Sequence, residues 1–170
     1  MHKAMSGVLK AIPLHGAELI EQWQARLSDY PEPLARAMVE QHLQFFPLWG
    51  LQAYLDSRDA LLWRYQMLLE AAQNILGVLA GLNRLYYTTF QFKRMRHFIA
   101  QLRIAPTNLA DRLEYLLQAE PALAGAELER LVQEIAELVE RHMPEVDTSG
   151  VRKRIGWRRP AWWIPGSAER

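Results

Sequence analysis

Basic and aromatic side chains are concentrated in residues 82–102, LNRLYYTTFQFKRMRHFIAQL, which hold five Tyr or Phe, four Lys or Arg and no acid. Guanidinium and ammonium groups form strong charge-assisted hydrogen bonds with phosphates, and a tyrosine ring can stack on a base or sugar while its hydroxyl stays wet. The stretch therefore suits the edge of an anion-binding cleft. An internal role is the alternative, because residues 107–143 hold eight acids against three arginines and the two segments can form surface ion pairs.

Residues 148–170 form a second basic and aromatic region, a Trp-rich tail without helical periodicity. The residues that could contact a partner or nucleic acid are Arg154, Trp157, Arg158, Arg159, Trp162 and Trp163. Cations interleaved with aromatic rings suit phosphates and stacked bases. Exposed tryptophans also favour association. We expect the tail to pack on the rest of the chain or on a partner, with nucleic-acid binding as the alternative.

The acidic and histidine residues do not form a recognisable catalytic or metal centre. Two-metal nucleotidyl transfer needs closely spaced carboxylates, but the five Asp lie at 29, 56, 59, 111 and 147 without an Asp-x-Asp pair. No Gly-rich phosphate loop is present, and no two histidines lie within one helical turn. We expect no catalytic residue, no metal site and no cofactor in this chain.

One catalytic alternative uses Arg36 and His42. Their spacing in ARAMVEQH matches the R-x4-6-H element with which helical ribonucleases of the HEPN group cleave RNA. His42 also falls on the apolar stripe of its predicted helix, where a partly buried core histidine is the simpler interpretation.

The elements that must position these residues are helical. Six segments have a period near 3.6 residues and none alternates apolar and polar residues, so we predict an all-α fold. The predicted architecture is an up-and-down bundle of about five to six helices with a long central helix and an irregular C-terminal tail. We divide the chain into a bundle domain, 1–147, and the basic, Trp-rich tail, 148–170.

The predicted helices cover about 17–27, 34–46, 57–86, 93–102, 109–118 and 126–142, with Ser57 or Asp59 capping the third and Thr107 or Asn108 capping the fifth. Small residues along the third helix should let a neighbouring helix approach closely. The longest apolar run, residues 75–82, is too short to cross a bilayer. Together with the absence of cysteine, this predicts a soluble, cytoplasmic protein with no membrane partner.

Two stretches resemble a known family. Residues 77–117, with an L-N-R-x-Y element, and residues 25–43, ARLSDYPEPLARAMVEQHL, are similar to the helical C-terminal region of bacterial nucleotidyltransferase-domain proteins. The resemblance implies a substrate- or partner-binding domain, whose partner is a nucleotidyltransferase catalytic domain or subunit. That family's Gly-Ser element and Asp-x-Asp pair are missing from this chain, so the nucleotide and magnesium would belong to the separate catalytic unit.

With this resemblance, the basic stretch gives the candidate substrate- or phosphate-binding residues Asn83, Arg84, Tyr87, Lys93, Arg94 and Arg96. Three alternatives to a substrate- or partner-binding domain stay open at this point: a nucleic-acid-binding module that uses the tail, a HEPN-like ribonuclease, and a structural bundle that forms homodimers.

Overall fold

Helices are the regular secondary structure of the part of the chain that the structure describes. The computed structural model describes residues 2–160, with the backbone alone for His2, Lys3, Thr89 and Phe90, and has no strand in that range. Its α-helices are α1 (His2–Leu9), α2 (Ala17–Ser28), α3 (Glu32–His42), α4 (Gln52–Asp56), α5 (Leu61–Leu82), α6 (Met95–Ile99), α7 (Leu109–Gln118), α8 (Pro121–His142) and α9 (Ser149–Arg152). Two 3-10 helices cover Leu48–Gly50 and Thr89–Arg94. The predicted all-α class is confirmed.

The long helix α5 lies at the centre of the core. Its second half is almost entirely buried, and it packs most extensively on α3 and also on α7 and α8. Two glycines permit the close approach of α3. A Cβ atom at Gly77 would overlap the His42 ring, and one at Gly81 would lie 2.8 Å from the carbonyl oxygen of Ala35. The predicted long central helix and its small-residue face are therefore both present.

Helix α8 covers the other side of the core with the predicted apolar stripe. Its fully buried residues are Leu128, Leu131, Val132, Ile135, Ala136 and Val139. The helix begins at Pro121, five residues earlier than predicted, because proline has no amide hydrogen to lose and suits the first turn. Helix α7 has the predicted bounds.

The ends of several other elements differ from the predictions. α5 ends at Leu82, and it begins after Ala60 without a side-chain cap; Asp56 instead accepts a hydrogen bond of 2.7 Å from the buried Arg64. Asn108 precedes α7 in a left-handed conformation, also without a capping bond. The predicted helix 93–102 is divided into a 3-10 helix and the five-residue α6. α3 stops at His42, before Pro47.

Two short elements were not predicted from the sequence. α1 precedes the first predicted helix, and α9 adds one helical turn to the start of the tail. None of the helices within residues 2–160 is long and apolar enough to cross a membrane.

Candidate functional site

A cleft of about 610 Å³ lies between α5, α6 and α7, and is named here the apolar cleft. Its floor consists of Leu69, Ala72, Phe92, Met95, Leu113 and Leu117. Its rim carries Lys93, Arg94, Arg96, His97 and Glu114. Leu69 is 44% exposed and Leu117 is 38% exposed, so the floor presents apolar surface to solvent in a concave site. Clefts with an apolar lining and a few polar groups are the usual form of small-molecule sites.

The 3-10 helix Thr89–Arg94 and α6 place the cations on the rim. Lys93 and Arg94 occupy the last turn of the 3-10 helix and are exposed. Arg96 follows in the first turn of α6. Three of the six residues predicted from the basic stretch therefore lie around one cleft.

Arg96 is bound to acids of α7. Its guanidinium donates hydrogen bonds of 2.8 and 2.6 Å to Glu114 and forms an ion pair of 2.7 Å with Asp111. Hydrogen bonds to Glu114 and then to Asp111 raise the pKa of Arg96. Because these carboxylates balance its charge, Arg96 links α6 to α7. Arg94, which is exposed and forms no ion pair with any residue whose side chain is described, is the rim cation best placed to meet a ligand.

Asn83 lies outside this cleft and makes hydrogen bonds within the fold. Its side-chain amide donates to the carbonyl oxygens of Leu79 and Ile104, both at 2.8 Å. Its side-chain oxygen accepts from the backbone amides of Arg103 at 2.7 Å and Ile104 at 2.9 Å. Asn83 thus ties the end of α5 to the segment that follows α6.

Arg84 and Tyr87 also lie outside the lining of the apolar cleft. Arg84 has a positive φ of 52° and donates bonds of 2.9 Å to both carboxylate oxygens of Glu32 at the start of α3. The Tyr87 ring is buried, its hydroxyl donates to the carbonyl oxygen of Gln73 at 3.2 Å, and burial raises its pKa to about 12. In the structure these side chains connect elements of the fold.

The described part of the tail packs on the bundle. Arg154 donates a hydrogen bond of 2.6 Å to the carbonyl oxygen of Phe45, and its own carbonyl accepts one of 3.1 Å from the Trp49 indole. The Trp157 ring lies over Gly50 and stays 37% exposed.

The next two arginines complete this contact. Arg158 donates to both oxygens of Glu129 at 2.9 and 2.7 Å. Arg159 stacks its guanidinium 3.8 Å from the centre of the Tyr54 ring. Trp162 and Trp163 lie outside the described residues. The packing expected for the tail is therefore observed for residues 154–159.

Arg36 and His42 face different surroundings on α3. Arg36 is exposed and lies 3.6 Å from Glu145. The His42 ring hydrogen-bonds Asn74 at 3.0 Å, covers Gly77 and contacts the edge of Tyr87. Six residues correspond to about 240° around a helix, so the two side chains point in different directions. His42 serves the packing of α3 on α5.

No group of three or more His, Asp or Glu within the described residues is placed to hold a metal ion. Comparison of the chain with known protein families, with curated proteins and with solved structures finds no match. The nucleotidyltransferase resemblance and the cytoplasmic location stay predictions.

Sequence reasoning missed the floor of the cleft. Leu69 and Leu117 carry the same helical periodicity as core residues, so nothing local in the sequence distinguishes them. In the structure they line one cleft together with residues of the 3-10 helix Thr89–Arg94 and of α6, and the periodicity did not predict that 3-10 helix.

Proposed function

We propose that the chain is a helical binding module, without catalytic residues of its own, and that the apolar cleft binds a small molecule with a ring and a negative charge. A nucleotide or a nucleotide-like compound has this chemistry. The observation that supports the proposal is the juxtaposition of a partly exposed apolar floor with the rim cations Lys93 and Arg94. A ring would cover the leucines, while the cations would attract an anionic group.

The sequence resemblance suggests the setting. In a nucleotidyltransferase system, this module would hold a substrate for a separate catalytic unit that supplies the metal ions. A rim with two exposed cations would repel a positively charged amine of the aminoglycoside type. We therefore propose an anionic molecule, and not a cationic amine, as the ligand of this cleft.

Isothermal titration calorimetry with adenosine tests the ring-binding role of the floor without a phosphate. Leu69→Gln and Leu117→Gln should each weaken adenosine binding by roughly fivefold to tenfold, because each removes about 1 kcal/mol of apolar contact. Leu123→Gln is the matched control, since Leu123 is 54% exposed and does not line the apolar cleft. Absence of adenosine binding at millimolar concentration, or an equal loss in the control, would contradict the proposal.

A partner-binding role is supported by a different surface. The first half of α5 exposes Leu61, Leu62 and Trp63, and Leu62 is 85% exposed. Phe46 packs edge-on against Trp63 with ring centres 5.2 Å apart, which extends the apolar patch. Exposed apolar patches of this kind are typical of protein interfaces.

This surface could bind a second copy or a catalytic unit. Sedimentation over a range of concentrations tests the homodimer: association should be present and should be lost in Leu62→Glu. A monomer at all concentrations would exclude self-association through this patch.

A further inference from the structure

A second depression adjoins the apolar cleft, and is named here the basic groove. It has a volume of about 410 Å³ and lies between the end of α1 and the 3-10 helix that precedes α6. Its polar side chains are Ser6, Lys10, Thr88, Gln91, Lys93 and Arg94. Among the residues whose side chains are described, the lining combines three cations, two hydroxyl groups and one amide, with no acidic side chain.

Two cations of this groove, Lys10 and Arg94, differ from several arginines of the described chain. Arg84, Arg96, Arg112, Arg152 and Arg158 each have a carboxylate within 2.5–2.9 Å. Lys10 and Arg94 form no ion pair with any residue between 2 and 160 whose side chain is described. Two such cations beside one groove repel one another, and a bound anion relieves that repulsion.

Lys93 and Arg94 line both the basic groove and the apolar cleft. The two sites are therefore contiguous, and a single small molecule can place an apolar ring in one and an anionic group in the other. A phosphate carries between one and two negative charges at neutral pH and offers several strong acceptor oxygens. Lysine, arginine and hydroxyl donors match those oxygens.

We infer that the basic groove is a phosphate subsite, with Lys10, Lys93 and Arg94 as its cationic ligands, and that the ligand of the apolar cleft is a phosphorylated, ring-bearing compound of the nucleotide class. This inference rests on the proposed function, since the ring is assigned to the apolar cleft. It adds Lys10, which directly follows α1 and which the sequence did not single out, and it gives the end of α1 a role in lining the site.

The test compares adenosine with adenosine monophosphate on the full chain at low salt. The monophosphate should bind at least about tenfold more tightly, because hydrogen bonds to charged groups are strong. Lys10→Gln should reduce this ratio towards one and leave adenosine affinity unchanged, since Lys10 lines the basic groove and not the apolar cleft. Arg94→Gln should also reduce the ratio. Lys10→Arg should retain the ratio. Lys153→Gln and Arg141→Gln, which remove exposed cations outside the groove, should also retain it.

A second arm uses inorganic pyrophosphate and records backbone amide signals by NMR. Pyrophosphate should shift the Gln91 and Arg94 amides in the wild type and not in Lys10→Gln. If adenosine binds but the monophosphate binds no better, the phosphate subsite is wrong and the apolar cleft stands. If pyrophosphate gives the expected shifts while adenosine does not bind, the subsite stands and the proposed function is wrong. If adenosine, adenosine monophosphate and pyrophosphate all fail to bind, both the phosphate subsite and the proposed function are wrong.

Discussion

Two regions of this molecule have nearly the same chemistry in sequence and different roles in structure. The tail residues 154–159 and the stretch 82–103 both combine arginines with aromatic rings. In the tail, Arg154 binds a backbone carbonyl, Arg158 binds Glu129 and Arg159 stacks on Tyr54. Each of these cations is used to hold the tail on the bundle.

In the stretch 82–103, some cations hold the fold together and others line the candidate binding site. Arg84 and Arg96 bind carboxylates of α3 and α7, whereas Lys93 and Arg94 line the apolar cleft and the basic groove. The difference arises from which neighbours the fold brings near each cation. A basic, aromatic composition therefore does not by itself identify a ligand-binding surface.

Removal of the docked tail should have the largest effect on stability. A chain that ends at residue 152 should lose about 3 kcal/mol or more of unfolding free energy relative to one that ends at residue 160. The truncation leaves the buried Trp49 indole without its hydrogen-bond acceptor and removes the contacts of Trp157 and Arg154 with the bundle. Urea denaturation of the two chains measures the difference.

Equal stability of these two chains would contradict the structural role assigned to residues 154–159. It would mean that the tail contributes nothing to the fold and is free for nucleic acid. In that case, binding to single-stranded nucleic acid should fall steeply with salt in the longer chain. Lys153→Gln in the longer chain controls for the loss of one exposed cation.

Asn83→Ala should give the second largest effect, a loss of about 2–3 kcal/mol. It removes three hydrogen bonds between the end of α5 and residues 103–104, and one to the carbonyl oxygen of Leu79 within α5. Thermal or urea unfolding measures the loss. Gln101→Ala, an exposed residue whose side-chain bond is local, should change stability by less than about 0.5 kcal/mol. A direct ligand role for Asn83 would show the reverse pattern, with normal stability and lost binding.

The ion pair of Glu129 with Arg158 should make tail docking sensitive to acid. The hydrogen bond from Arg158 holds the pKa of Glu129 below its ordinary value, although burial opposes this. A lowered folded pKa means that the contribution is present above the unfolded value and is lost as the pH falls through the folded value.

Glu129→Gln should therefore lower stability by up to about 1 kcal/mol at pH 7, with the difference from wild type shrinking as the pH falls below 4.5. Unfolding curves recorded from pH 7 to pH 3 test this. A difference that stays constant over this range would contradict the assigned ion pair.

Arg94→Gln should have the smallest effect on stability, within about 0.5 kcal/mol, because Arg94 is exposed and unpaired within the described chain. Arg96→Gln is its matched partner two residues away and should lower Tm, because it releases α6 from Asp111 and Glu114. The affinity for adenosine monophosphate should fall more in Arg94→Gln than in Arg96→Gln. Differential scanning fluorimetry and titration calorimetry on both variants test whether adjacent arginines have separate roles.

The parts of the fold that depend on local pattern could be predicted from sequence. The stripes of α5, α7 and α8 follow a 3.6-residue period, and the small residues of α5 mark its contact with α3. The 3-10 helix Thr89–Arg94 has too few residues for a period to be visible, and the five-residue α6 occupies only part of the helix predicted over 93–102. In helix α1, residues 4–9 are exposed or half-buried and none is fully buried.

The candidate site was predictable only in part. The concentration of cations near residue 94 pointed to Lys93, Arg94 and Arg96. The pairing of Arg96 with α7 and the three bonds of Asn83 to residues 103–104 depend on residues distant in the chain, and so does the approach of Lys10 to the 3-10 helix. These contacts separate structural residues from candidate ligand residues, and local sequence contains no signal for them.

The most direct test of the account is whether a nucleotide-like ligand occupies the apolar cleft. Met95 lies on the floor of that cleft, while Met143 is buried in the core. With ¹³C-labelled methionine methyl groups, titration with adenosine monophosphate should shift the Met95 signal saturably and leave Met143 unchanged. An unchanged Met95 signal at millimolar ligand, or equal shifts of both methyl groups, would contradict the account.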